Sequence, residues 1–293
     1  MIINTLINNH KTQFDKYFFD LLKANLNSSI LSKAMIYGSM NGGKRIRPFL
    51  VGQAAKIAKA KKTQYLRVAS AIESIHSYSL IHDDLPSMDN DDFRRGKLST
   101  HKKFNEATAI LAGDALHDFA FQILSSRLTH TNPERRIQLI NYLAKSLGHL
   151  GLVAGQSLDL LYENKRNNIK KIINMYKLKT GSLFEFSFSS PFILTNHPKE
   201  IIKFYQRYSL LFGLIFQIID DYLDEIGDYK KLGKTPGKDK KSGKSTILQH
   251  LKKTNVVKYC ENIGNQFIKK NKKYLLKWKG LEDLLLYIIQ RSS

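Results

Sequence analysis

Hydrophobic residues recur at three- and four-residue spacing along most of the chain. This spacing places successive side chains on one face of an α-helix. The segments that show it are Phe14–Ala24, Val68–Ile81, Ala107–Leu124, Ile137–Leu150, Ile169–Leu178, Ile201–Asp224 and Leu281–Ile289. Strand-like alternation is scarce, and its best example, Leu183–Phe188, fits a helix better because apolar residues continue beyond it. The pattern predicts an all-α fold.

A few helix breakers divide these segments. Asn41-Gly42-Gly43 should separate two helices, and Pro133 should open one. Pro86 should end the helix that precedes it, because proline disfavours the helical conformation of the residue before it. Gly227–Ser245 is a long, polar, Gly- and Lys-rich segment, which is typical of a lid. Since no repeat or interdomain linker is visible, we expect a single domain spanning residues 1–293.

Composition narrows the class of protein. The chain has 293 residues, of which 42% are hydrophobic and 25% charged, as in ordinary globular proteins. Its net charge of +22 is unusual, but lysine is abundant throughout, which favours compositional bias over a dedicated nucleic-acid surface. Cys260 is the single cysteine, and the N-terminus is a poor match to a signal peptide. With no apolar run long enough to span a bilayer, the sequence predicts a cytoplasmic protein without stable membrane insertion.

Two aspartate clusters stand out against this basic background. They comprise Asp83, Asp84 and Asp89 in the first, and Asp220, Asp221 and Asp224 in the second. Carboxylates packed this closely raise one another's pKa unless a cation lies among them. Oxygen ligands without clustered cysteine or histidine favour Mg²⁺. We therefore interpret both clusters as metal-binding.

The positions of the clusters support this interpretation. Asp83 and Asp84 fall at a predicted helix C-terminus, where the helix dipole disfavours negative charge unless a cation compensates it. Asp89 can join them only if the chain turns back after the helix. In the second cluster Asp220 and Asp224 are four residues apart on one helical face, and Gln217 lies one turn earlier.

Basic residues accompany both clusters. They occur as Lys44 and Arg47 after a glycine turn, Arg94 and Arg95 after the first cluster, Lys179 beside Thr180, and Lys234 and Lys244 in the polar segment. Arginine forks and lysine ammonium groups are the usual partners of phosphate oxygens. Carboxylates that can hold a metal lie in sequence beside basic side chains that can hold an anion. This combination predicts a site for a metal-bound diphosphate.

At these residues the chain resembles the trans-isoprenyl diphosphate synthases, most closely bacterial short-chain members that make farnesyl diphosphate. The matching segments are GGKRIRP at 42–48, SIHSYSLIHDDLPSMDNDDFRRGK at 74–97, EATAILAGDAL at 106–116, GQSLDL at 155–160, KTG at 179–181, FQIIDDYLD at 216–224 and LGKTPGKDKKSGKST at 232–246. The resemblance implies a single-domain helical bundle of the isoprenoid synthase type with a central cavity. It also implies a homodimer that acts on small diphosphate substrates rather than nucleic acid.

The resemblance further implies roles for individual residues. Three Mg²⁺ ions would be held by the metal-binding aspartates, Asp83, Asp84, Asp89, Asp220, Asp221 and Asp224. An allylic diphosphate would be bound by Arg94, Lys179, Lys234 and Lys244. Lys179, Thr180 and Gln217 would act in catalysis. Isopentenyl diphosphate would be held without metal by Lys44, Arg47, His76 and Arg95.

Product length is predicted by the residues just before Asp83. The growing tail would run along the helix, where one turn of about 5.4 Å approximates one isoprene unit. Ser79 is small and would let the tail pass, whereas Tyr78 is bulky and would block it near fifteen carbons. The resemblance and this geometry together predict farnesyl diphosphate.

Several alternatives remain open from the sequence. A geranylgeranyl diphosphate synthase would differ mainly around Tyr78. A terpene cyclase or a head-to-head synthase is another enzyme alternative. A cyclase would not need the isopentenyl site, so Lys44, Arg47 and Arg95 argue against it. A non-catalytic subunit of the same family would typically have lost an aspartate motif, and both are present. A basic nucleic-acid-binding helical protein is supported by net charge alone.

Overall fold

A computed structural model of the chain describes residues 2–226, 243–275 and 280–290. The helices are α1 (Ile2–Asn25), α2 (Ile30–Ser39), α3 (Ile46–Ala58), α4 (Lys62–Asp83), α5 (Thr100–Lys103), α6 (Glu106–Ser125), α7 (Pro133–Leu147), α8 (Leu152–Leu161), α9 (Ile169–Tyr176), α10 (Ser182–Leu194), α11 (Lys199–Ile226), α12 (Lys253–Lys270), α13 (Lys272–Leu275) and α14 (Gly280–Gln290). A π-helical turn (Lys177–Gly181) joins α9 to α10, and a 3₁₀ turn (Ile247–Gln249) precedes α12. The all-α fold is confirmed.

The chain forms two compact units, one made of Met1–Asn141 with Ser190–Asn196 and the other of Tyr142–Ser189 with His197–Ser293. In the first unit α4 packs against α3 and α6. Its sequence is rich in alanine and serine, and the hydroxyls of Ser70 and Ser74 donate to backbone carbonyls one turn earlier. These bonds let a helix with many hydroxyl groups lie in the core without unpaired donors.

The second unit is organised around α11, which packs against the π-helical turn, α12 and α14. Aromatic side chains fill its core, and Phe184 contacts both Phe212 and Phe216 with ring centroids 5.1 and 5.2 Å apart. The buried Tyr208 donates its hydroxyl to the carbonyl of Leu281 at 2.7 Å, which anchors α14.

Every segment predicted from periodicity lies mainly in a helix, and α7 begins at Pro133 as expected. Leu183–Phe188 is helical, so the preference for helix over strand there is confirmed. Periodicity missed α2, α3, α8 and α12, and the short helices α5 and α13. In α3 most residues are buried, which leaves no one-sided apolar stripe to detect.

A short β-hairpin was also unexpected. Strand β1 (Phe93–Arg94) pairs antiparallel with β2 (Lys97–Leu98). Arg95 and Gly96 form the two-residue loop and have φ angles of 55° and 77°. Two positive φ angles are what a type I′ turn requires, and glycine at the second position meets that need.

Within the described ranges no helix combines the length and hydrophobicity needed to cross a bilayer.

Candidate active site

The first aspartate cluster lies where α4 ends. The helix stops at Asp83, and Asp84 caps it. Beyond Pro86 the chain turns back, and the backbone N–H of Asp89 donates to the carbonyl of Asp83 at 2.9 Å. The predicted return of Asp89 to the helix end is therefore confirmed, and a backbone hydrogen bond holds it there.

Arg94 compensates the charge of this cluster in the structure. Its Nε lies 2.9 Å from Oδ1 of the buried Asp84, Nη2 contacts the same oxygen, and Nη2 lies 3.3 Å from Asp91. Burial alone would lower the pKa of Arg94, but the carboxylates of Asp84, Asp83 and Asp89 together more than offset it, so the pKa is raised. A cationic side chain therefore already lies at this helix end, as the dipole argument anticipates.

The glycine turn before α3 carries the residues predicted to hold isopentenyl diphosphate. Gly42 and Gly43 have φ angles of 102° and 104°, a region that favours glycine. Arg95 donates from Nη1 to the carbonyl of Gly42, and a Cβ at Gly43 would lie 2.5 Å from its Cζ. Lys44 is exposed beside this contact. The structure thus places Arg95 against the turn that precedes Lys44.

His76 joins the same group. Nη1 of Arg47 lies 3.3 Å from Nε2 of His76. Burial, then the charges of Arg47 and Arg95, hold the pKa of His76 well below 6.5. A neutral imidazole can accept the hydrogen bond that Arg47 donates. The four predicted isopentenyl ligands are therefore neighbours in the first unit, linked through Arg95 and Arg47.

The second cluster lies in the last turns of α11. Asp221 and Asp224 are buried, whereas Asp220 is partly exposed. Gln217 donates from Nε2 to Asp221 at 2.9 Å, and Thr180 donates its hydroxyl to Oε1 of Gln217 at 2.7 Å. The structure therefore brings two of the predicted catalytic residues into one hydrogen-bonded chain with the second cluster.

The π-helical turn places Lys179 and Thr180. A π-helical turn inserts one extra residue into the helix at that point, and such turns are frequent at functional sites. A Cβ on Gly155 would overlap the backbone of Lys179, and one on Gly213 would lie 2.8 Å from Cα of Gly181. α8 and α11 can approach the turn this closely only because glycine stands at both positions.

Asp159 is a site residue that sequence reasoning missed. Its side chain is buried on α8, 2.5 Å from Nζ of Lys179 and 3.8 Å from Nζ of Lys244. One carboxylate therefore lies beside two lysines predicted to bind the allylic diphosphate. Its position in the GQSLDL segment was the available signal, but a lone aspartate there has no neighbour in sequence that reveals its partners.

Tyr176 was missed as well. Its buried hydroxyl donates to Asp221 and accepts the backbone N–H of Ile247 at 2.9 Å. Burial, followed by the charge of Asp221, raises its pKa well above 10, so the hydroxyl keeps its proton. Tyr176 thereby ties the second aspartate cluster to the segment that follows Lys244, and nothing in the local sequence indicates this.

A cleft of about 580 Å³ opens beside the second cluster within the second unit. Asp221, Asp224 and Lys244 line it together with Arg166 and Lys253. Its walls therefore combine carboxylates with basic side chains. Lys234 and most of the predicted lid, 227–242, lie outside the described residues.

The residues predicted to limit product length lie on α4. The ring of Tyr78 makes edge contacts with His82 and with His117 of α6, at centroid separations of 4.9 and 5.4 Å. Ser79 is 9% exposed and donates to the carbonyl of His76 at 3.0 Å. The Tyr78 ring is thus braced by a second helix.

The carboxylates fit magnesium in their chemistry. Among the described residues no three His, Cys, Asp or Glu side chains gather into a preformed metal site. Mg²⁺ in phosphate-handling enzymes is commonly held by one or two carboxylates, with substrate oxygens and water completing the shell. Such a shell needs one or two carboxylates for each ion, and the pairs Asp83 with Asp89 and Asp220 with Asp224 supply that number.

Comparison with known proteins identifies relatives of this chain. Residues 28–277 match the family model for polyprenyl synthetase. The chain is 44% identical over 223 residues to farnesyl diphosphate synthase of Haemophilus influenzae, covering 75% of each chain. It is 38% identical over 266 residues to the Escherichia coli farnesyl diphosphate synthase, covering 89% of each. A crystal structure of Helicobacter pylori geranyltransferase, complexed with magnesium and isoprenyl diphosphate, superposes with a TM-score of 0.83 at 29% identity, covering 98% of this chain and 96% of that one.

Proposed function

The chain belongs to the polyprenyl synthetase family, and we propose that it acts in this family as a farnesyl diphosphate synthase. It condenses isopentenyl diphosphate with dimethylallyl or geranyl diphosphate. The observation that carries this proposal is the link from Thr180 through Gln217 to Asp221, which joins the Lys-Thr-Gly turn to the second aspartate cluster. Farnesyl diphosphate synthases recur among the curated relatives, which favours this product over geranylgeranyl diphosphate.

The reaction begins with departure of diphosphate from the allylic substrate. The C–O bond breaks, and negative charge develops on the leaving oxygen while the allylic carbon becomes a cation. Arg94, Lys179, Lys234 and Lys244 are proposed to bind that diphosphate, because preorganised cations stabilise developing negative charge best in a site that excludes water. Magnesium, when bound, neutralises further charge on the leaving group.

Carbon–carbon bond formation follows. The double bond of isopentenyl diphosphate attacks the allylic cation, a proton is lost to the departed diphosphate, and the chain has grown by five carbons. Lys44, Arg47, His76 and Arg95 are proposed to hold the isopentenyl diphosphate. The oxygens of Thr180 and Gln217 stabilise the cation. The Gly227–Ser245 segment is proposed to exclude water, which would otherwise capture the cation.

The metal complement is proposed from the resemblance to the trans-isoprenyl diphosphate synthases. Asp83 and Asp89, with Asp84 nearby, are proposed to hold two magnesium ions, and Asp220, with Asp221 and Asp224, a third. We also propose that residues 1–293 work as one catalytic domain, in a homodimer located in the cytoplasm. The single cysteine, Cys260, agrees with a reducing compartment.

The experiment that tests this function is incubation of the purified protein with isopentenyl diphosphate, Mg²⁺ and either allylic primer, followed by chain-length analysis. We expect a fifteen-carbon product. Exhaustive chelation should abolish turnover and added Mg²⁺ should restore it. Asp83→Ala and Asp220→Ala should each lower kcat by at least about a hundredfold. Full activity after chelation would refute the metal-assisted reaction, and a twenty-carbon main product would refute the farnesyl assignment.

A further inference from the structure

Arg45 lies between two of the predicted isopentenyl diphosphate ligands, Lys44 and Arg47, but has no role in the mechanism described above. Its neighbour Lys44 is exposed, whereas Arg45 is only 3% exposed. An arginine buried this deeply is rare unless its charge and its hydrogen-bond donors are all satisfied. The contacts of Arg45 therefore indicate what it does.

The guanidinium of Arg45 connects three helices of the first unit. Nε lies 2.6 Å from Asp15 on α1, and Nη1 lies 2.5 Å from Glu73 on α4. Nη2 donates to the carbonyl of Ser39, the last residue of α2, at 2.8 Å. Each nitrogen of the fork serves a different partner, an arrangement that the single ammonium group of a lysine cannot reproduce.

These contacts stabilise an unfavourable backbone conformation. Arg45 has a φ angle of 52°, in the left-handed region that side chains other than glycine seldom adopt. It follows the two positive-φ glycines, Gly42 and Gly43, and its carbonyl accepts the N–H of Phe49, which starts α3. Such strain persists only where surrounding contacts over-determine the conformation. The buried ion pairs of Arg45 supply those contacts.

The contacts of Arg45 also set the register between the glycine turn and α4. Arg45 pairs with Glu73, and Arg47, two residues later, contacts His76 at 3.3 Å. Glu73 and His76 are three residues apart, so they share one face of α4. Two successive contacts to one helical face hold both the position and the direction of the segment that carries Lys44 and Arg47.

Glu73 has a second electrostatic effect. Its side chain is 2% exposed. Burial lowers the pKa of Arg95 to about 10, and the negative charge of Glu73 makes that lowering smaller. The carboxylate therefore offsets part of the repulsion among the clustered arginines. Arg45 in turn holds the Glu73 side chain in place through their ion pair.

We propose that Arg45 is a positioning residue of the isopentenyl diphosphate site: its fork, anchored on Asp15, Glu73 and Ser39, holds Lys44 and Arg47 in the geometry that binds the diphosphate. This inference rests on the proposed function. It concerns only one of the two substrates, and that asymmetry makes it testable.

The test compares Arg45→Lys with the wild type in the full-length protein. Initial rates are measured with isopentenyl diphosphate varied at saturating geranyl diphosphate, and then with the two substrates exchanged. We expect the KM for isopentenyl diphosphate to rise about tenfold or more, with the KM for geranyl diphosphate changed by less than about twofold. Asp15→Asn removes one carboxylate at the edge of the network and should raise the same KM by a smaller factor.

Arg67→Lys is the matched control. Arg67 lies on α4, the helix that carries Glu73, and bonds through Nε to Thr129 at 2.9 Å, but it lies outside the Arg45 network. It should leave both KM values unchanged. Equal increases in both KM values on Arg45→Lys, or no increase for isopentenyl diphosphate, would overturn the inference. If Arg45→Lys shows no cooperative melting and is therefore unfolded, Asp15→Asn takes its place in the test. An unchanged KM of Asp15→Asn for isopentenyl diphosphate would then overturn the inference.

The activity of the wild-type protein distinguishes failure of the proposed function from failure of this inference. A wild type that does not turn over isopentenyl diphosphate with either primer would overturn the proposed function, and this inference with it. An active wild type beside variants with unaltered KM values would overturn the inference alone.

Discussion

In the second unit, individual charged residues are paired with residues that are distant in the sequence. Asp159 on α8 lies beside Lys179 of the π-helical turn and Lys244, which precedes α12. Asp221 on α11 receives hydrogen bonds from Tyr176 and Gln217. Sequence reasoning found Asp221, Lys179 and Lys244 because of their residue types and motifs. It could not find their partners, because the separations along the chain carry no local signal.

Asp159→Asn tests the orientation of the two lysines. The amide keeps the size of the side chain but removes the charge that holds Lys179. We expect kcat to fall about tenfold, because stabilisation of the leaving diphosphate depends on preorganised cations. The KM for the allylic substrate should not rise, because removing a negative charge does not weaken attraction for diphosphate. Steady-state kinetics decide this, with Asp118→Asn on the exposed face of α6 as control. An unaltered kcat would contradict the assigned role.

Tyr78→Ala tests the limit on product length. Removing the ring, which is packed against His82 and His117, should let the growing chain extend beyond fifteen carbons. Chromatographic analysis of the products shows the change directly. Tyr65→Ala removes a tyrosine near the other end of α4 and should leave the product at fifteen carbons. A fifteen-carbon product from Tyr78→Ala would show that another residue limits the chain.

At the scale of elements, the π-helical turn and the glycines that pack on it place the Lys-Thr pair. The sequence predicted a helix over Ile169–Leu178 and favoured a helix over Leu183–Phe188, and both are present. It did not predict the wider turn between them, because a π turn depends on the packing of its neighbours rather than on propensity. Gly155 and Gly213 show that packing directly.

Gly155→Ala should displace the π-helical turn. A Cβ at this position meets backbone atoms of Lys179, which cannot rotate aside as a side chain could. We expect a lower melting temperature together with a higher KM for the allylic diphosphate. Gly264→Ala on α12 is the matched control, because the nearest atom to its Cβ would be 3.9 Å away. In a helix interior that exchange should stabilise the protein by up to about 1 kcal/mol. Equal effects of the two substitutions in calorimetry and kinetics would contradict close packing at Gly155.

At the scale of the whole molecule, stability should depend on pH through half-buried and buried histidines whose pKa values the fold lowers. Burial, and then Lys56 and Lys62, lower the pKa of His10 to about 4, and the pKa values of His76 and His101 are also lowered. Between the lowered pKa and the unfolded value of about 6.5, the unfolded chain binds more protons than the folded one. The free energy of unfolding should therefore fall as the pH drops below about 6.5.

His10→Asn tests the contribution of one such histidine. Urea unfolding of this variant at about pH 7 and pH 5 should show a smaller loss of stability than the wild type between the two conditions. The exposed His149 supplies the control, since His149→Asn should leave the loss unchanged. A wild-type stability that rises towards pH 5 would contradict the direction of the lowered pKa values.

The sequence by itself determined the helical class, the breaks at Gly42–Gly43 and Pro86, and both aspartate clusters. These features are local, because helical period, backbone restriction and the repulsion of adjacent carboxylates all act between residues close in the chain. Only the tertiary structure decided that Arg45 anchors the glycine turn, that Asp159 holds Lys179, and that Tyr176 joins Asp221 to Ile247. Those assignments depend on which side chains meet after distant segments pack, and burial then gives each pair its strength.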